Sequence, residues 1–165
     1  MTARGADAFD GLVAVLDYPM FVVTVRAGEH RAGCLVGFAS QASIRPPRFL
    51  VGISQRNYTF RIAQDATHLA VHVLSRRHVA LAELFGSQTG DQVDKFSQCA
   101  WHSGPFGVPI LDDAAAWFVG EVIDRFAFGD HVGHLLEPVD GHSPGQLRQW
   151  VTFADVRGVT PGHQA

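Results

Sequence analysis

The stretch GCLVGFASQASIRPPRFLVGISQRNYT, residues 33–59, carries the pattern that decides the fold. It predicts two short strands joined at a stiff corner, because Pro46 and Pro47 each fix φ and favour a turn. Small and hydroxyl residues stand where a buried strand would normally carry Val or Ile: Gly37, Ala39, Ser40, Ala42 and Ser43. This pattern favours a large flat molecule lying against the strand, or a neighbouring element that packs closely on it.

The end of the same stretch is a polar cluster that precedes a helix-like segment. Backbone N–H groups at the start of a helix, together with nearby cationic and hydroxyl side chains, favour an anion. The cluster therefore predicts a phosphate site formed by Ser54, Gln55, Arg56, Asn57 and Thr59.

Length and composition indicate one globular domain over residues 1–165, since a chain of this size can bury a core without disulfides or a structural metal. The net charge of -3 and the scattered arginines leave no basic stripe of the kind that binds nucleic acid. Cys34 and Cys99 have no metal-binding or redox spacing, so we expect free thiols, although a disulfide between them stays open. The N-terminal segment has neither a signal peptide nor a membrane span, and we expect a cytoplasmic protein.

The chain on either side of this stretch predicts several short strands and a few helices. Helices are expected over 7–16, with Asp7 as cap, over 60–66, and over 77–85 with an end at Gly86. Strands are expected over 20–26, from about residue 31, and over 68–74, 115–125, 131–140 and, more weakly, 147–156; residues 87–103 form a polar excursion. This order has no βαβ spacing, so the fold class is mainly β: an antiparallel barrel, closed or nearly closed, with peripheral helices.

Six pieces of the sequence occur in the order and approximate spacing of the flavin reductase-like domain family, which the chain therefore resembles. They are residues 33–47, Asn57-Tyr58-Thr59, Leu84-Phe85-Gly86-Ser87, Asp94-Lys95-Phe96, Pro109-Ile110-Leu111 and Gly129-Asp130-His131. The resemblance covers about residues 7–140, and residues 141–165 diverge. It includes the reductase components of two-component flavin monooxygenases.

The resemblance implies a homodimeric FMN-binding split barrel that binds FMN or FAD and reduces it with NADH or NADPH. The reduced flavin would either pass to a partner monooxygenase or stay bound to the protein. When the family's flavin contacts are transferred to the matching positions of this sequence, the flavin ring would contact Val36, Gly37, Phe38, Ala39, Ser40, Ser43 and Phe85. The ribityl chain and phosphate would contact Ser54, Gln55, Arg56, Asn57 and Thr59.

His131 is the candidate catalytic residue, because the resemblance places it on the nicotinamide side of the flavin. The alternative is a turn histidine hydrogen-bonded to Asp130. Two histidine pairs, His68 with His72 and His131 with His134, lack the carboxylate or cysteine companions of a metal site. We therefore expect no metal. Residues 147–158 lack the aromatic-Tyr-Arg-Gly ending common in these reductases, which keeps open a flavin-binding electron carrier that does not use a pyridine nucleotide.

Overall fold

A computed structural model describes residues 2–87, 89–90 and 92–162. The helices are α1 (Ala3–Val13), α2 (Tyr58–Ala63), α3 (Val79–Ser87) and α4 (Phe153–Val156). The strands are β1 (Phe21–Ala27), β2 (His30–Val36), β3 (Ala39–Ser43), β4 (Arg48–Ser54), β5 (His68–Val73), β6 (Trp101–Ser103), β7 (Pro109–Leu111), β8 (Ala116–Ala127) and β9 (His131–His142). No helix in these ranges combines the length and apolar character needed to span a membrane.

Seven strands form one antiparallel sheet in the order β2-β1-β5-β8-β9-β4-β3, and β6 pairs with β7 in a small second sheet. The large sheet curls, because β2 lies against β4 although the two strands stand near opposite ends of this order. β2 and β4 do not pair, so the barrel stays open between them. The structure confirms the predicted fold class, a mainly β antiparallel split barrel with peripheral helices.

The barrel interior is filled by the inward-facing residues of the strands, among them Val23, Val51, Ile53, Leu69 and Leu136, each at most 1% exposed. Alternate positions of β1 point to the other face, where a second cluster forms beneath α3. Cys34 packs in the barrel and Cys99 is half-buried, and both are free thiols.

The local predictions hold where short-range sequence patterns decide the structure. The β1–β2 hairpin, strand β5 and the β8–β9 pair are confirmed. Pro46 and Pro47 form the turn between β3 and β4 as predicted, with a cis peptide bond before Pro46. Residues 33–59 nevertheless contain parts of three strands rather than two, because the chain turns between Val36 and Ala39.

Four further predictions are corrected. Helix α3 does not end at Gly86 but includes it and runs to Ser87. β3 is an edge strand with mostly exposed residues, so its small side chains do not stand in a buried strand. α1 begins at Ala3, because the Thr2 hydroxyl accepts a hydrogen bond from the Gly5 N–H at 3.3 Å and caps the helix earlier than Asp7. The strand over 147–156 is wrong: this segment makes only isolated bridges, and Thr152 and Asp155 form a capping box that starts α4.

His72 connects three strands inside the fold. Its Nδ1 donates to the Val22 carbonyl at 2.9 Å, and its Nε2 accepts from the Leu111 N–H at 3.2 Å. These two bonds join β5 to β1 and β7 and require the neutral imidazole with the proton on Nδ1. Burial lowers the pKa of His72 from 6.5 to about 4.

Lys95 fixes the polar excursion predicted over residues 87–103. Its buried ammonium group donates to the Gly33 carbonyl at 2.9 Å and to the Phe85 carbonyl at 3.0 Å. One side chain therefore ties this segment to β2 and α3. Burial lowers the pKa of Lys95.

Replacement of His72 by Gln should flatten the dependence of stability on acid pH. The unfolded chain protonates this histidine near pH 6.5 and the folded chain only near pH 4, so its contribution to stability is present above pH 6.5 and lost as pH falls toward 4. We expect His72 to account for a loss of about 2 kcal/mol in the free energy of unfolding between pH 7 and pH 5. Urea denaturation of wild type and His72→Gln at both pH values measures this difference, and an equal loss in the two proteins would contradict it.

Candidate functional site

A groove of about 200 Å³ opens where β2 and β4 end. Apolar residues form its walls, and polar side chains gather at one end. Its lining includes Met20, Val36, Gly37, Phe38, Gly52, Ile53, Ser54, Asn57 and His131.

The pairing of β4 with β9 assembles the polar end. Ser54, the last residue of β4, lies opposite His131, the first residue of β9. The Gln55 N–H donates to the Asp130 carbonyl at 2.9 Å, which joins the turn before α2 to the turn before β9. Two polar turns more than 70 residues apart in sequence thereby meet at the groove.

Glycines in these two strands leave space for aromatic rings. Gly52 and Gly133 are register partners. A Cβ atom on Gly133 would lie 2.5 Å from the Phe128 ring, and one on Gly52 would lie 3.3 Å from Phe38 Cβ. Phe38 therefore lines the groove beside Gly52, and the Phe128 ring lies against Gly133 on the neighbouring strand.

His131 makes the hydrogen bond to Asp130 that the turn-histidine alternative requires, and it also lies in the groove. Its Nδ1 lies 2.7 Å from Asp130 Oδ1, and this hydrogen bond lowers the pKa of the Asp130 carboxyl group. The same imidazole lines the groove, with its ring centroid 4.7 Å from that of Phe38. When Asp130 holds the proton on Nδ1, Nε2 is free to accept a hydrogen bond.

The residues predicted to hold a phosphate divide into two groups. Ser54 and Asn57 line the groove, and the exposed Arg56 stands in the turn between them. Asn57 is the cap of α2, since its Oδ1 accepts from the Thr59 N–H at 2.9 Å. Thr59 is only 1% exposed and its hydroxyl lies beside the Cys34 thiol, so its side chain points into the core.

The other predicted residues lie at varied distances from the groove. Val36, Gly37 and Phe38 line it, whereas Ala39, Ser40 and Ser43 continue along the edge strand β3. The structure places Phe85 outside the groove: it is a buried residue of α3, with its ring 5.7 Å from that of Phe96. Gln55 is exposed next to the groove.

Sequence reasoning missed the contribution of Tyr18 and Phe153. Both line the groove, and their rings are stacked with centroids 5.0 Å apart. Tyr18 and Met20 also explain why residue 37 is glycine, because a Cβ there would lie 2.7 Å from Tyr18 and 2.9 Å from Met20. The Thr152–Asp155 spacing of a capping box was the available signal that Phe153 opens a helix.

The groove residues fit a flavin, whose flat ring system has apolar faces and polar edges and whose side chain ends in phosphate. Apolar side chains line the groove, and the largest exposed one is Phe38. Within the described ranges, the N–H groups of Gly37 and Phe38 make no hydrogen bond to protein and can serve the polar ring edge. Ser54, Arg56 and Asn57 supply the donors that a phosphate needs.

Comparison with known proteins also indicates a flavin-related protein family. The family model for the flavin reductase like domain matches residues 14–157. The reductase component of 4-hydroxyphenylacetate 3-monooxygenase from Salmonella typhimurium is 27% identical over 134 residues, which are 81% of this chain and 76% of that protein. The FMN reductase (NADH) RutF from Bradyrhizobium diazoefficiens is 29% identical over 119 residues, which are 72% of this chain and 66% of that protein.

Solved structures share the fold. A flavin reductase domain protein from Arthrobacter sp. FB24 superimposes with a TM-score of 0.80 at 24% identity, and 89% of each chain is covered. An NADH:FAD oxidoreductase from Streptomyces globisporus C-1027 gives a TM-score of 0.80 at 21% identity, with 92% of this chain and 90% of that chain covered. With the family model matched over residues 14–157, the chain belongs to the flavin reductase-like domain family.

Proposed function

We propose that the chain is an NAD(P)H:flavin oxidoreductase that reduces FMN or FAD. The observation that carries the proposal is the groove itself, in which apolar walls, free backbone donors, a phosphate-type cluster and His131 come together. The similar FMN reductase (NADH) and the reductase component of 4-hydroxyphenylacetate 3-monooxygenase support this activity.

A flavin held in the groove would supply the electronic chemistry as the hydride acceptor, and a nicotinamide would be the donor. The protein must hold two rings in reacting contact and exclude water from them. Phe38 shields the groove, and the N–H groups of Gly37 and Phe38 would bind the polar ring edge. Asp130 orients His131, whose Nε2 can accept a hydrogen bond from the carboxamide of the nicotinamide.

We also propose a homodimer in which the partner subunit completes the site. The groove of about 200 Å³ is smaller than the roughly 300–1,000 Å³ usual for ligand pockets. Large apolar side chains near its rim are exposed, including 58% of Phe38 and 54% of Phe128. A second copy would cover these rings and add a wall to the groove. Sedimentation equilibrium should give twice the mass of the chain, and a monomer at micromolar concentration would contradict the proposal.

The similarity of the chain to the reductase component of 4-hydroxyphenylacetate 3-monooxygenase also supports a role in supplying reduced flavin to a partner monooxygenase. The exposed position of the groove at the barrel surface is compatible with release of the flavin after reduction.

Replacement of Arg56 by Ala should weaken FMN binding by about 1.5–3 kcal/mol, because a hydrogen bond to a charged group has this strength. Riboflavin lacks the phosphate and should bind wild type and variant equally. Fluorescence titration of both ligands measures the difference. Arg56 is exposed, so the variant should keep its fold. Equal weakening for FMN and riboflavin would show that the phosphate lies elsewhere.

Replacement of His131 by Ala should slow flavin reduction by NADH about 10- to 100-fold, since misplacement of a reacting ring by an ångström has effects of this size. The dissociation constant of the flavin should change far less. Anaerobic stopped-flow absorbance gives the rate of reduction, and flavin titration gives the affinity. If both quantities change by the same factor, His131 is a structural histidine of the turn.

A further inference from the structure

Arg125 of β8 holds the end of helix α2. Its Nη2 donates to the Ala63 carbonyl at 3.0 Å and to the Ala66 carbonyl at 2.5 Å. Ala63 is the last residue of α2, and Ala66 lies in the connection to β5. Carbonyl groups at the end of a helix run out of N–H partners within the helix, and a cationic side chain stabilises them. The two hydrogen bonds therefore fix this end of α2 to the sheet.

α2 is too short to hold its position by itself. It has six residues, and an isolated helix of this length is not stable in water. Thr59 and Ala63 form its buried side. At its start, the Asn57 side chain accepts a hydrogen bond from the Thr59 N–H at 2.9 Å. The helix is thus held by its cap, by one buried side and by Arg125.

The start of α2 is also the polar end of the groove. Ser54 and Asn57 line the groove, and Arg56 stands in the turn between them. Because a helix of six residues is only about 9 Å long, a shift of its far end also moves Asn57. The hydrogen bonds at Ala63 and Ala66 are therefore coupled to the geometry of the proposed phosphate donors.

A buried histidine lies opposite Arg125. His134 of β9 is its register partner, and the side chains of such a pair lie on the same face of the sheet. His134 is 0% exposed, and its Nε2 has no hydrogen-bond partner in the part of the chain that the structure describes. Burial lowers the pKa of His134, and the charge of Arg125 adds to this effect. The neutral Nε2 can accept an N–H that Arg125 does not use for α2, directly or through a water.

We propose that Arg125 is a positioning residue for the phosphate of the flavin. It fixes α2, and α2 in turn fixes Asn57 and the turn that carries Arg56. The inference rests on the proposed function, because the phosphate is that of FMN held in the groove. Arg125 does not line the groove and donates to carbonyls at the far end of α2, so it acts through the helix rather than on the ligand.

Replacement of Arg125 by Met tests the proposal, because it keeps an unbranched apolar stem and removes the donors. We expect the dissociation constant of FMN to rise about fivefold or more, the effect of weakening roughly one hydrogen bond to a charged group. Riboflavin lacks the phosphate, and its dissociation constant should stay within about twofold of wild type. Fluorescence titration with both ligands measures the two changes.

Two further variants separate positioning from charge. Arg77→Met is the matched control, since Arg77 is an exposed arginine in the turn before α3, outside the groove. It removes the same charge and should leave the binding of FMN and riboflavin unchanged. Arg125→Lys keeps a cation with three N–H donors and should bind FMN more tightly than Arg125→Met.

Hydrogen exchange of the ligand-free protein tests the first step separately. Amide groups of α2 should exchange faster in Arg125→Met than in wild type, because the helix has lost one of its anchors. Those of the β1–β2 hairpin should exchange at the wild-type rate, since Arg125 makes no hydrogen bond to it in the described part of the chain.

Equal weakening of FMN and riboflavin in Arg125→Met would overturn the proposal, because Arg125 would then only stabilise the fold. Unchanged FMN binding, or unchanged exchange in α2, would overturn it as well. A wild-type protein that binds FMN no more tightly than riboflavin would instead contradict the proposed phosphate cluster, and one that binds neither would contradict the proposed function.

Discussion

The antiparallel pairing of β4 with β9 is the constraint on which the site depends. It places Ser54 opposite His131 and Gly52 opposite Gly133, so that the polar turn before α2 and the Asp130–His131 turn meet at one end of the groove. The facing glycines leave room for the Phe38 Cβ atom and for the Phe128 ring close to the sheet. A shift of this pairing by one residue would turn His131 to the other face, because side chains alternate along a strand. The register of two strands therefore determines the chemistry of the groove.

The buried polar side chains that join elements of the fold are separate from the residues that line the groove. His72 and Lys95 are buried, satisfy backbone groups of several strands and stay out of the groove. In the groove, by contrast, His131 keeps one ring nitrogen for Asp130 and leaves the other available. Few ionisable side chains are needed there, because the flavin and the nicotinamide carry the electronic part of a hydride transfer. The protein contributes position, shielding from water and donors for polar edges.

Local sequence patterns predicted much of the fold, and the family resemblance predicted part of the site. The β1–β2 hairpin and the Pro46-Pro47 turn follow from turn residues and β-branched runs. The groove brings together six of the predicted residues: Val36, Gly37, Phe38, Ser54, Asn57 and His131.

Tyr18 and Phe153 were missed because they come from distant segments that no local motif connects. Residues 147–156 were predicted as a strand from their apolar content, whereas the Thr152–Asp155 capping box starts a helix within them. Phe85 was assigned to the flavin ring by its position in the sequence, whereas it is a buried residue of α3 that packs in the core.

The most direct test of the account is an anaerobic titration of the purified protein, loaded with FMN and then with FAD, followed in the visible absorption of the flavin. The account predicts that the oxidised flavin band is retained with the protein and is lost rapidly on addition of NADH or NADPH. A bound flavin that neither nucleotide reduces would contradict the reductase activity and would favour an electron carrier that uses another reductant.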